Sequence, residues 1–436
     1  MRFTTEELAT ALVAETVGPS RAVDGVAIDS RQVREGQLFV ALRAERDGHD
    51  FVAAAVDAGA GAVVVDHRME LPSDRTVQLV VADTARAVEA LAALARRRLP
   101  ERVVGITGSV GKTTTKDLLA AVLGRHWATA ASERSFNNEL GVPLTLANAP
   151  DGTEAAVVEM GARGAGHIAY LCRLARPTVG IVTTVEAVHT EVMGGEEAIA
   201  RAKQELVESL PADGLAVLNA DNPLVAAMAS ATRARVVAFG DAGEVRASGT
   251  TVDEGLHASF ELESPWGSAP VRLGVRGEHN VANALAAASA ALAMGVPLPA
   301  VVAGLGDAPS SPWRMDLVRT SSGARVLNDS YNAGPASVAA ALRALAALPA
   351  SRRVAVLGVM AELGDRSADE HATVAALAAE LGIEVVAVGT PLYGVEPVDG
   401  VEAAVAAVGA LDEGTAVLVK GSRVAGLERV AEALTA

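Results

Sequence analysis

The segment VVGITGSVGKTTTK, which spans residues 103–116, restricts the fold of this chain more than any other feature. An apolar run leads into a glycine-containing loop, and apolar residues then recur at helical spacing. In this order of strand, loop and helix, backbone N–H groups can surround phosphate oxygens, because glycine permits tight turns and close approach. The side chain of Lys112 would place a positive charge on the outer phosphates, and that of Thr113 a hydroxyl on Mg²⁺. The predicted nucleotide-binding loop comprises Gly108, Ser109, Val110, Gly111, Lys112, Thr113 and Thr114.

Composition excludes several classes of function. A chain of 436 residues with a net charge of −16 and no offsetting basic block is not expected to bind nucleic acid as its main partner. Cys172 is the only cysteine, which excludes an intrachain disulfide and a cysteine-based zinc site and fits a reducing cytoplasm. The opening residues predict no signal peptide, and no apolar run reaches the roughly 20 residues that span a membrane. We therefore expect a cytoplasmic protein without membrane insertion.

Alternating apolar strands and helices predict an α/β protein of three domains. Residues 1–99 form a smaller N-terminal α/β domain, which ends at a basic helix terminus followed by Pro100. Residues 100–312 form a central P-loop domain of the ATPase-like type, since its continuous apolar runs are typical of a parallel sheet buried on both faces. Alternation within residues 245–273 predicts an antiparallel element there. After a Pro/Ser linker, residues 313–436 are expected to form a Rossmann-like domain.

Three residues of the central region are candidates for catalysis. Glu159 ends an apolar strand, where a carboxylate beside a phosphate loop suits Mg²⁺, although an ordinary solvated glutamate is the alternative. His189 follows another strand in the same topological position, although a lone histidine is more often structural. Lys203 falls on the apolar face of a predicted helix, which is costly unless the lysine is paired, modified or part of a site. Snorkelling, or an ion pair with Glu205 or Glu208, is the alternative.

Two polar segments of the C-terminal region follow apolar strands. Residues 328–333 read NDSYNA, which offers more hydrogen-bonding groups than a simple turn requires. Residues 420–423 read KGSR and open a helix, which makes a good site for an anion or a carboxylate. A solvated basic helix cap is the alternative for the second segment.

Over essentially the whole chain, motifs in this order resemble those of the Mur ligases of peptidoglycan synthesis. The loop TGSVGKT resembles the shorter form found in that family, which lacks an early glycine where this chain has Ile106. Further matching segments are DSR (29–31), DGHDF (47–51), FNNELGVP (136–143), EMG (159–161), AK (202–203), LNADN (218–222) and GEHNVANA (277–284). In the C-terminal region, NDSYNA, MAELG (360–364) and KGSR look like the segments of members that add D-alanyl-D-alanine.

The resemblance implies an ATP-dependent ligase that joins D-alanyl-D-alanine to UDP-N-acetylmuramoyl-tripeptide through an acyl phosphate, in the cytoplasmic phase of cell-wall synthesis. It implies ATP and two Mg²⁺ ions as cofactors, and a monomer whose domains close over the substrates. The N-terminal domain would bind the UDP-sugar-peptide, and the C-terminal domain would bind the incoming dipeptide.

The resemblance also assigns residues to these roles. The implied catalytic residues are Lys112, Glu159, His189 and Lys203, and the implied metal ligands are Thr113, Glu159, His189 and a carbamoylated Lys203. ATP would contact the phosphate loop together with Asn283, Arg314, Asp329 and Asn332. The substrates would contact Ser30, Arg31, Asn137, Asn138, Glu362, Lys420, Ser422 and Arg423.

The sequence departs from the family pattern at two positions that bear on substrate contacts. Ala44 stands where the family usually has glycine, and His167 where it commonly has glutamate. The alternatives are a Mur-type ligase that adds a single amino acid, a folylpolyglutamate synthase-like enzyme and a catalytically silent nucleotide-binding homologue. The sequence leaves open whether the third residue of the tripeptide is meso-diaminopimelate or lysine.

Overall fold

The computed structural model describes residues 1–72, 75–133, 135–186 and 195–436. The N-terminal strands are β1 (Arg2–Thr4), β2 (Glu15–Val17), β3 (Ala22–Asp24), β4 (Val26–Ala27), β5 (Leu38–Val40), β6 (Ala62–Val65) and β7 (Val77–Val80). The helices of this part are α1 (Thr5–Leu12), α2 (Val52–Asp57) and α3 (Thr84–Arg98). A five-stranded sheet has the order β2-β7-β6-β5-β4, in which only β2 is antiparallel, and β1 pairs with β3. Short 3₁₀ helices cover Ser30–Gln32 and Gly48–Phe51.

The central region is built on a six-stranded sheet. Its strands are β8 (Val103–Thr107), β9 (Thr129–Ala131), β10 (Ala155–Glu159), β11 (Val179–Val182), β12 (Leu215–Asn219) and β13 (Arg235–Phe239). Its helices are α4 (Lys112–Leu123), α5 (Gly141–Ala147), α6 (His167–Ala175), α7 (Glu196–Glu208), α8 (Pro223–Ala226), α9 (Asn280–Ala293) and α10 (Leu298–Asp307), and a 3₁₀ helix covers Ala227–Ala231. The order is β13-β12-β11-β8-β10-β9, and every pairing is parallel. All residues of β8, β10, β11 and β12 are buried, which confirms the predicted two-sided burial.

A separate antiparallel sheet lies within the central region, as the alternating pattern predicts. It consists of β14 (Arg246–Val252), β15 (His257–Ser264) and β16 (Gly267–Arg276), paired in that order. Every second residue in the middle of β15 is buried, because one face of the sheet packs on α9 while the other faces outward.

The C-terminal region contains a further five-stranded sheet. Its strands are β17 (Asp316–Arg319), β18 (Arg325–Asn328), β19 (Arg352–Leu357), β20 (Glu384–Ala387) and β21 (Thr415–Lys420). Its helices are α11 (Pro335–Ala347), α12 (Ser367–Glu380), α13 (Gly400–Val408) and α14 (Glu428–Thr435), with 3₁₀ helices at Gly364–Arg366 and Arg423–Ala425. The order is β17-β18-β21-β19-β20, and only β17 is antiparallel. This arrangement confirms the Rossmann-like expectation.

Small side chains bring helices close together beneath the phosphate loop. Six of the 14 residues of α9 are buried alanines, and this helix packs along α4. A Cβ on Gly304 of α10 would lie 2.5 Å from Cα of Val122, so only glycine fits at this crossing. The sequence pattern does not predict α10, which has only 10 residues and carries Pro299 in its first turn. Within the described ranges, no helix is long and apolar enough to cross a bilayer.

Candidate active site

The phosphate loop lies at the carboxyl end of β8, in the interior of the six-stranded sheet. α4 begins at Lys112, and Gly111 precedes it with φ of 88°. The Lys112 ammonium donates to the carbonyl oxygens of Gly108 (2.6 Å) and Ser109 (3.2 Å), so its side chain folds back over the loop. Desolvation lowers the pKa of Lys112. Thr114 stands on the first turn of α4, whose leading N–H groups have no partner inside the helix. The loop is therefore organised to receive an anion.

Residues that follow β11 support the loop from behind. The N–H of Ser109 donates to the carbonyl oxygen of Thr184 (2.8 Å), and its hydroxyl donates to the carbonyl oxygen of Glu186 (3.1 Å). The Thr183 hydroxyl donates to the carbonyl oxygen of Val110 at 2.5 Å. Burial raises the pKa of Glu186. These supporting residues were not expected, because no motif marks them; only their position after β11 could have drawn attention to them.

Asn283 of α9 lies directly against the loop. The Thr115 hydroxyl donates to Asn283 Oδ1 at 3.2 Å, and the Asn283 amide donates to Asn280 Oδ1 at 2.7 Å. A Cβ on Gly111 would come within 2.2 Å of Asn283 Oδ1. Glycine at this position is therefore required both by its positive φ and by the close approach of α9.

Replacing Gly111 with alanine is expected to weaken ATP binding by at least about a hundredfold, because the added methyl must displace Asn283 and distort the loop. Gly152 provides a matched control, since its φ of 80° is similar and nothing lies within 4 Å of the position that a Cβ would take there. Gly152→Ala should cost about 1 kcal/mol of stability and leave ATP affinity unchanged. Calorimetric titration with ATP measures the difference, and equal affinities for the two variants would contradict the steric argument.

Glu159 is the centre of a buried cluster of oxygen and amide groups. Its carboxylate, only 1% exposed, accepts hydrogen bonds from the Thr113 hydroxyl (2.9 Å) and the Asn137 amide (2.8 Å). The Thr113 hydroxyl also lies 3.1 Å from the hydroxyl of Ser135. Carboxylate and hydroxyl oxygens beside a phosphate loop fit the preference of Mg²⁺ for hard ligands. Asn138, in contrast, caps the following turn, where its Oδ1 accepts from the N–H of Gly141 at 2.9 Å.

Lys203 of α7 is buried, as its place on the apolar face predicts, with 4% of its surface exposed. Burial, together with the charge of Lys112, lowers the pKa of Lys203 to about 7. Both carboxylates considered as ion-pair partners bind elsewhere: Glu205 accepts from the N–H groups at the start of α6, and Glu208 accepts from the amide of Gln204. The lysine is therefore poised to lose its charge near neutral pH. His189 lies outside the described residues.

The C-terminal region reaches the loop through Arg314. Its guanidinium donates to the Thr113 hydroxyl at 3.0 Å and lies 4.2 Å from the centre of the Tyr331 ring. The residues on either side, Trp313 and Met315, both have positive φ, of 61° and 55°. Non-glycine residues rarely adopt this conformation, which costs on the order of 1 kcal/mol each. The backbone is thus held in a strained form that presents Arg314 to the loop. The sequence did not predict that the Tyr331 ring would lie against the Arg314 guanidinium.

Lys420 joins two of the polar segments noted in the sequence. Its ammonium, on a residue 3% exposed, bonds to the Asp329 carboxylate (2.5 Å) and to the carbonyl oxygen of Asn332 (2.9 Å). Asp329 also accepts from the N–H of Met315 at 3.2 Å. The ion pair therefore ties the end of β21 to the strained turn that carries Arg314.

The remaining C-terminal candidates lie on the segments that follow β19 and β21. The Ser422 hydroxyl accepts from the N–H of Ala361 at 2.9 Å, which brings the MAELG and KGSR segments together. Glu362 is exposed, with φ of 65°. Arg423 stacks on the Trp313 ring at 4.6 Å and pairs with Glu428 at 2.9 Å.

Ser30 and Arg31 occupy a turn of the N-terminal sheet. The Arg31 guanidinium pairs with Asp29 at 2.7 Å, and that hydrogen bond lowers the pKa of the Asp29 carboxyl. No hydrogen bond or ion pair among the described residues joins this turn to the phosphate loop. A substrate that contacts both must bridge from the N-terminal sheet to the central one.

Three family models match consecutive parts of the chain. Residues 22–98 match the model for the Mur ligase family catalytic domain, residues 106–291 the Mur ligase middle domain, and residues 313–423 the Mur ligase glutamate ligase domain.

Curated relatives and solved structures are similar over almost the full length. The UDP-N-acetylmuramoyl-tripeptide–D-alanyl-D-alanine ligase of Escherichia coli is 37% identical over 99% of this chain and 98% of that protein. The ligase of the same name from Mycobacterium tuberculosis is 39% identical over 99% of this chain and 98% of that protein. Among solved structures, MurF from Acinetobacter baumannii has a TM-score of 0.89 at 31% identity and covers 100% of this chain and 99% of its own. MurF from Thermotoga maritima in complex with ADP has a TM-score of 0.81 at 28% identity, and the match covers 95% of this chain and 97% of that one.

Proposed function

The chain belongs to the Mur ligase family, and we propose that it catalyses the ATP-dependent addition of D-alanyl-D-alanine to UDP-N-acetylmuramoyl-tripeptide. The observation that carries this proposal is similarity to ligases of that name over 99% of the chain, which includes all three regions. A match limited to the phosphate-loop region would have supported only ATP use. The product is the UDP-linked pentapeptide, and we place the reaction in the cytoplasmic phase of peptidoglycan synthesis.

The reaction requires several anionic groups to meet in one crevice. The terminal carboxylate of the tripeptide attacks the γ-phosphorus of ATP, which yields an acyl phosphate and ADP. The amine of the dipeptide then attacks the acyl carbon, and phosphate leaves from the tetrahedral intermediate. Catalysis of this kind depends mainly on positioning and on neutralising charge. Lys112 and the N–H groups that open α4 are the groups that we assign to the ATP phosphates.

We assign Thr113 and Glu159 to one Mg²⁺ ion, and His189 with carbamoylated Lys203 to a second. Bound Mg²⁺ would withdraw charge from phosphoryl and carboxylate oxygens as the reaction proceeds. The buried oxygen groups around Glu159 support the first assignment, and the burial and low pKa of Lys203 support its modification, because only a neutral amine forms a carbamate. A carbamate would also relieve the cost of a buried ammonium.

The remaining assignments concern the domains. We propose that residues 1–99 bind the uridine nucleotide through Ser30 and Arg31, that residues 100–312 bind ATP with the help of Asn283, and that residues 313–436 bind the dipeptide. Domain closure would then depend on Arg314, which already contacts Thr113 across 201 positions of sequence. We propose that the working unit is a monomer.

Phosphate release tests the proposed reaction directly. With ATP and Mg²⁺ present, purified protein should release phosphate only when UDP-MurNAc-tripeptide and D-alanyl-D-alanine are both supplied. Equal turnover with free D-alanine in place of the dipeptide would favour the single-amino-acid alternative. Absence of turnover, despite ATP binding, would favour the catalytically silent alternative.

A further inference from the structure

An open cleft of about 400 Å³ is formed by residues that follow two segments of the Glu159 cluster along the chain. It is lined by Glu139, Arg163, Gly164, His167 and Tyr170. Glu139 follows Asn137 by two residues, and the Asn137 amide donates to Glu159 at 2.8 Å. Arg163 follows Gly161 by two residues, and the Gly161 N–H donates to the carbonyl oxygen of Asn137 at 2.8 Å. The two segments that form this cleft therefore start at the proposed metal site. We call it the side-chain cleft.

The side-chain cleft presents both signs of charge. Arg163 Nη1 lies 3.2 Å from Glu139 Oε1, and His167 Nε2 lies 3.4 Å from Glu139 Oε2. The backbone N–H of Arg163 donates to His167 Nδ1 at 3.2 Å. That bond occupies the lone pair of Nδ1, so the proton of the neutral ring is on Nε2 and faces Glu139. The Arg163 side chain is 67% exposed, which leaves its planar set of donors accessible from the cleft.

One acceptor in the cleft is left without a hydrogen bond. Glu139 Oε2 is buried, and although His167 Nε2 lies 3.4 Å away, this oxygen accepts no hydrogen bond within the part of the chain that the structure describes. A buried acceptor without a partner is costly, and a ligand that carries an ammonium group would satisfy it. The Tyr170 ring forms an adjoining wall, held in place because its hydroxyl donates to Glu89 of α3 at 2.7 Å. Aliphatic carbon packs well against such a wall.

We propose that the side-chain cleft binds the side chain of the third residue of the acceptor peptide, and that it selects a side chain ending in both an ammonium and a carboxylate, as in diaminopimelate. This proposal rests on the proposed function. Because the carboxylate of that residue must reach the ATP γ-phosphate near Glu159, its side chain must leave from the same point. Arg163 would bind the distal carboxylate with paired N–H donors, and Glu139 would accept from the ammonium. A lysine side chain would supply an ammonium to Glu139 but no carboxylate to Arg163.

Three acceptor peptides separate these contacts in a steady-state assay. They are UDP-MurNAc-tripeptides that end in meso-diaminopimelate, in diaminopimelate with its distal carboxylate amidated, and in lysine. For the unmodified protein we expect a KM about tenfold lower for the first than for the other two, in keeping with one charge-assisted pair at a partly exposed site. Arg163→Gln should raise the KM of the first peptide to that of the others and leave theirs unchanged. Glu139→Gln should raise the KM of all three.

Arg97→Gln, at an exposed position of α3, is the matched control and should change none of the three values. Equal KM values for the three peptides with unmodified protein would overturn the cleft assignment and leave the proposed function intact. Absence of phosphate release with every peptide would overturn the proposed function itself. An increase of all three KM values in Arg163→Gln would show that Arg163 only maintains the loop, which also overturns the assignment. The comparison of peptides on unmodified protein requires no variant to fold.

Discussion

Replacing Lys203 with alanine is expected to lower kcat by at least about a hundredfold, the usual effect of removing a group that stabilises charge in a transition state. Lys203 is 4% exposed on α7, and its pKa is lowered to about 7, so its neutral form is available for carbamoylation. The shortened side chain leaves a space where a small carboxylate can take the place of the carbamate. Formate or acetate at millimolar concentration should therefore restore part of the activity, as measured by phosphate release.

Arg201 provides the control for Lys203, because it lies on the same helix with 70% of its side chain exposed. Arg201→Ala should retain the activity of the unmodified protein and should not respond to formate. Activity of Lys203→Ala close to that of the unmodified protein would show that the carbamate proposal is wrong.

The pKa of Lys203 also determines how the unmodified protein responds to pH. With a pKa of about 7 the neutral amine is about a tenth of the total at pH 6, so carbamoylation and activity should fall below pH 7 and recover with added bicarbonate. The unmodified lysine has a lower pKa in the folded chain than in the unfolded chain. Its destabilising effect is therefore complete below pH 7 and declines as pH rises towards 10.5.

Replacing Glu159 with glutamine is expected to lower kcat by about 10²–10³-fold and to raise the Mg²⁺ concentration that gives half-maximal activity. The carboxylate accepts from two donors, the Thr113 hydroxyl and the Asn137 amide. A glutamine removes the negative charge and also turns an N–H donor towards one of these groups. The loss should therefore appear in metal dependence first, while ATP still binds through the phosphate loop.

Glu133→Gln is the matched control, because Glu133 is exposed on the segment that follows β9. Phosphate release measured across a Mg²⁺ titration should show no difference between this control and the unmodified protein. If Glu159→Gln kept both its kcat and its Mg²⁺ requirement, Glu159 would not be a metal ligand.

Local pattern predicted much of the fold. The apolar runs at β8, β10, β11 and β12 predicted buried parallel strands because a strand covered on both faces needs no polar side. The alternation in β15 predicted a sheet with one covered face, because only every second side chain of such a strand packs on the core. The helix α10 and the pairing of β1 with β3 were not predicted, since short elements with proline or few residues carry little periodicity.

Candidate residues were predicted where their type conflicted with their surroundings or followed a strand. Lys203 stood out as a charge on an apolar face, and Glu159 as a carboxylate at the end of a buried strand. Thr183 and Glu186 were missed, because a hydroxyl or a carboxylate in a loop has no unusual local pattern. Tyr331 lies in the NDSYNA segment, but its stacking on Arg314 was not predicted. Their partners are supplied by segments that are distant along the chain.

The sequence by itself determined the buried parallel strands, the phosphate loop and the family, because each of these depends on residue type at short spacing. Tertiary structure alone decided which distant groups meet. It placed Asn283 against Gly111, Arg314 on Thr113, and Glu139 between Arg163 and His167. Such contacts depend on how helices and sheets pack, and packing is set by the shapes of whole surfaces, which no local pattern encodes.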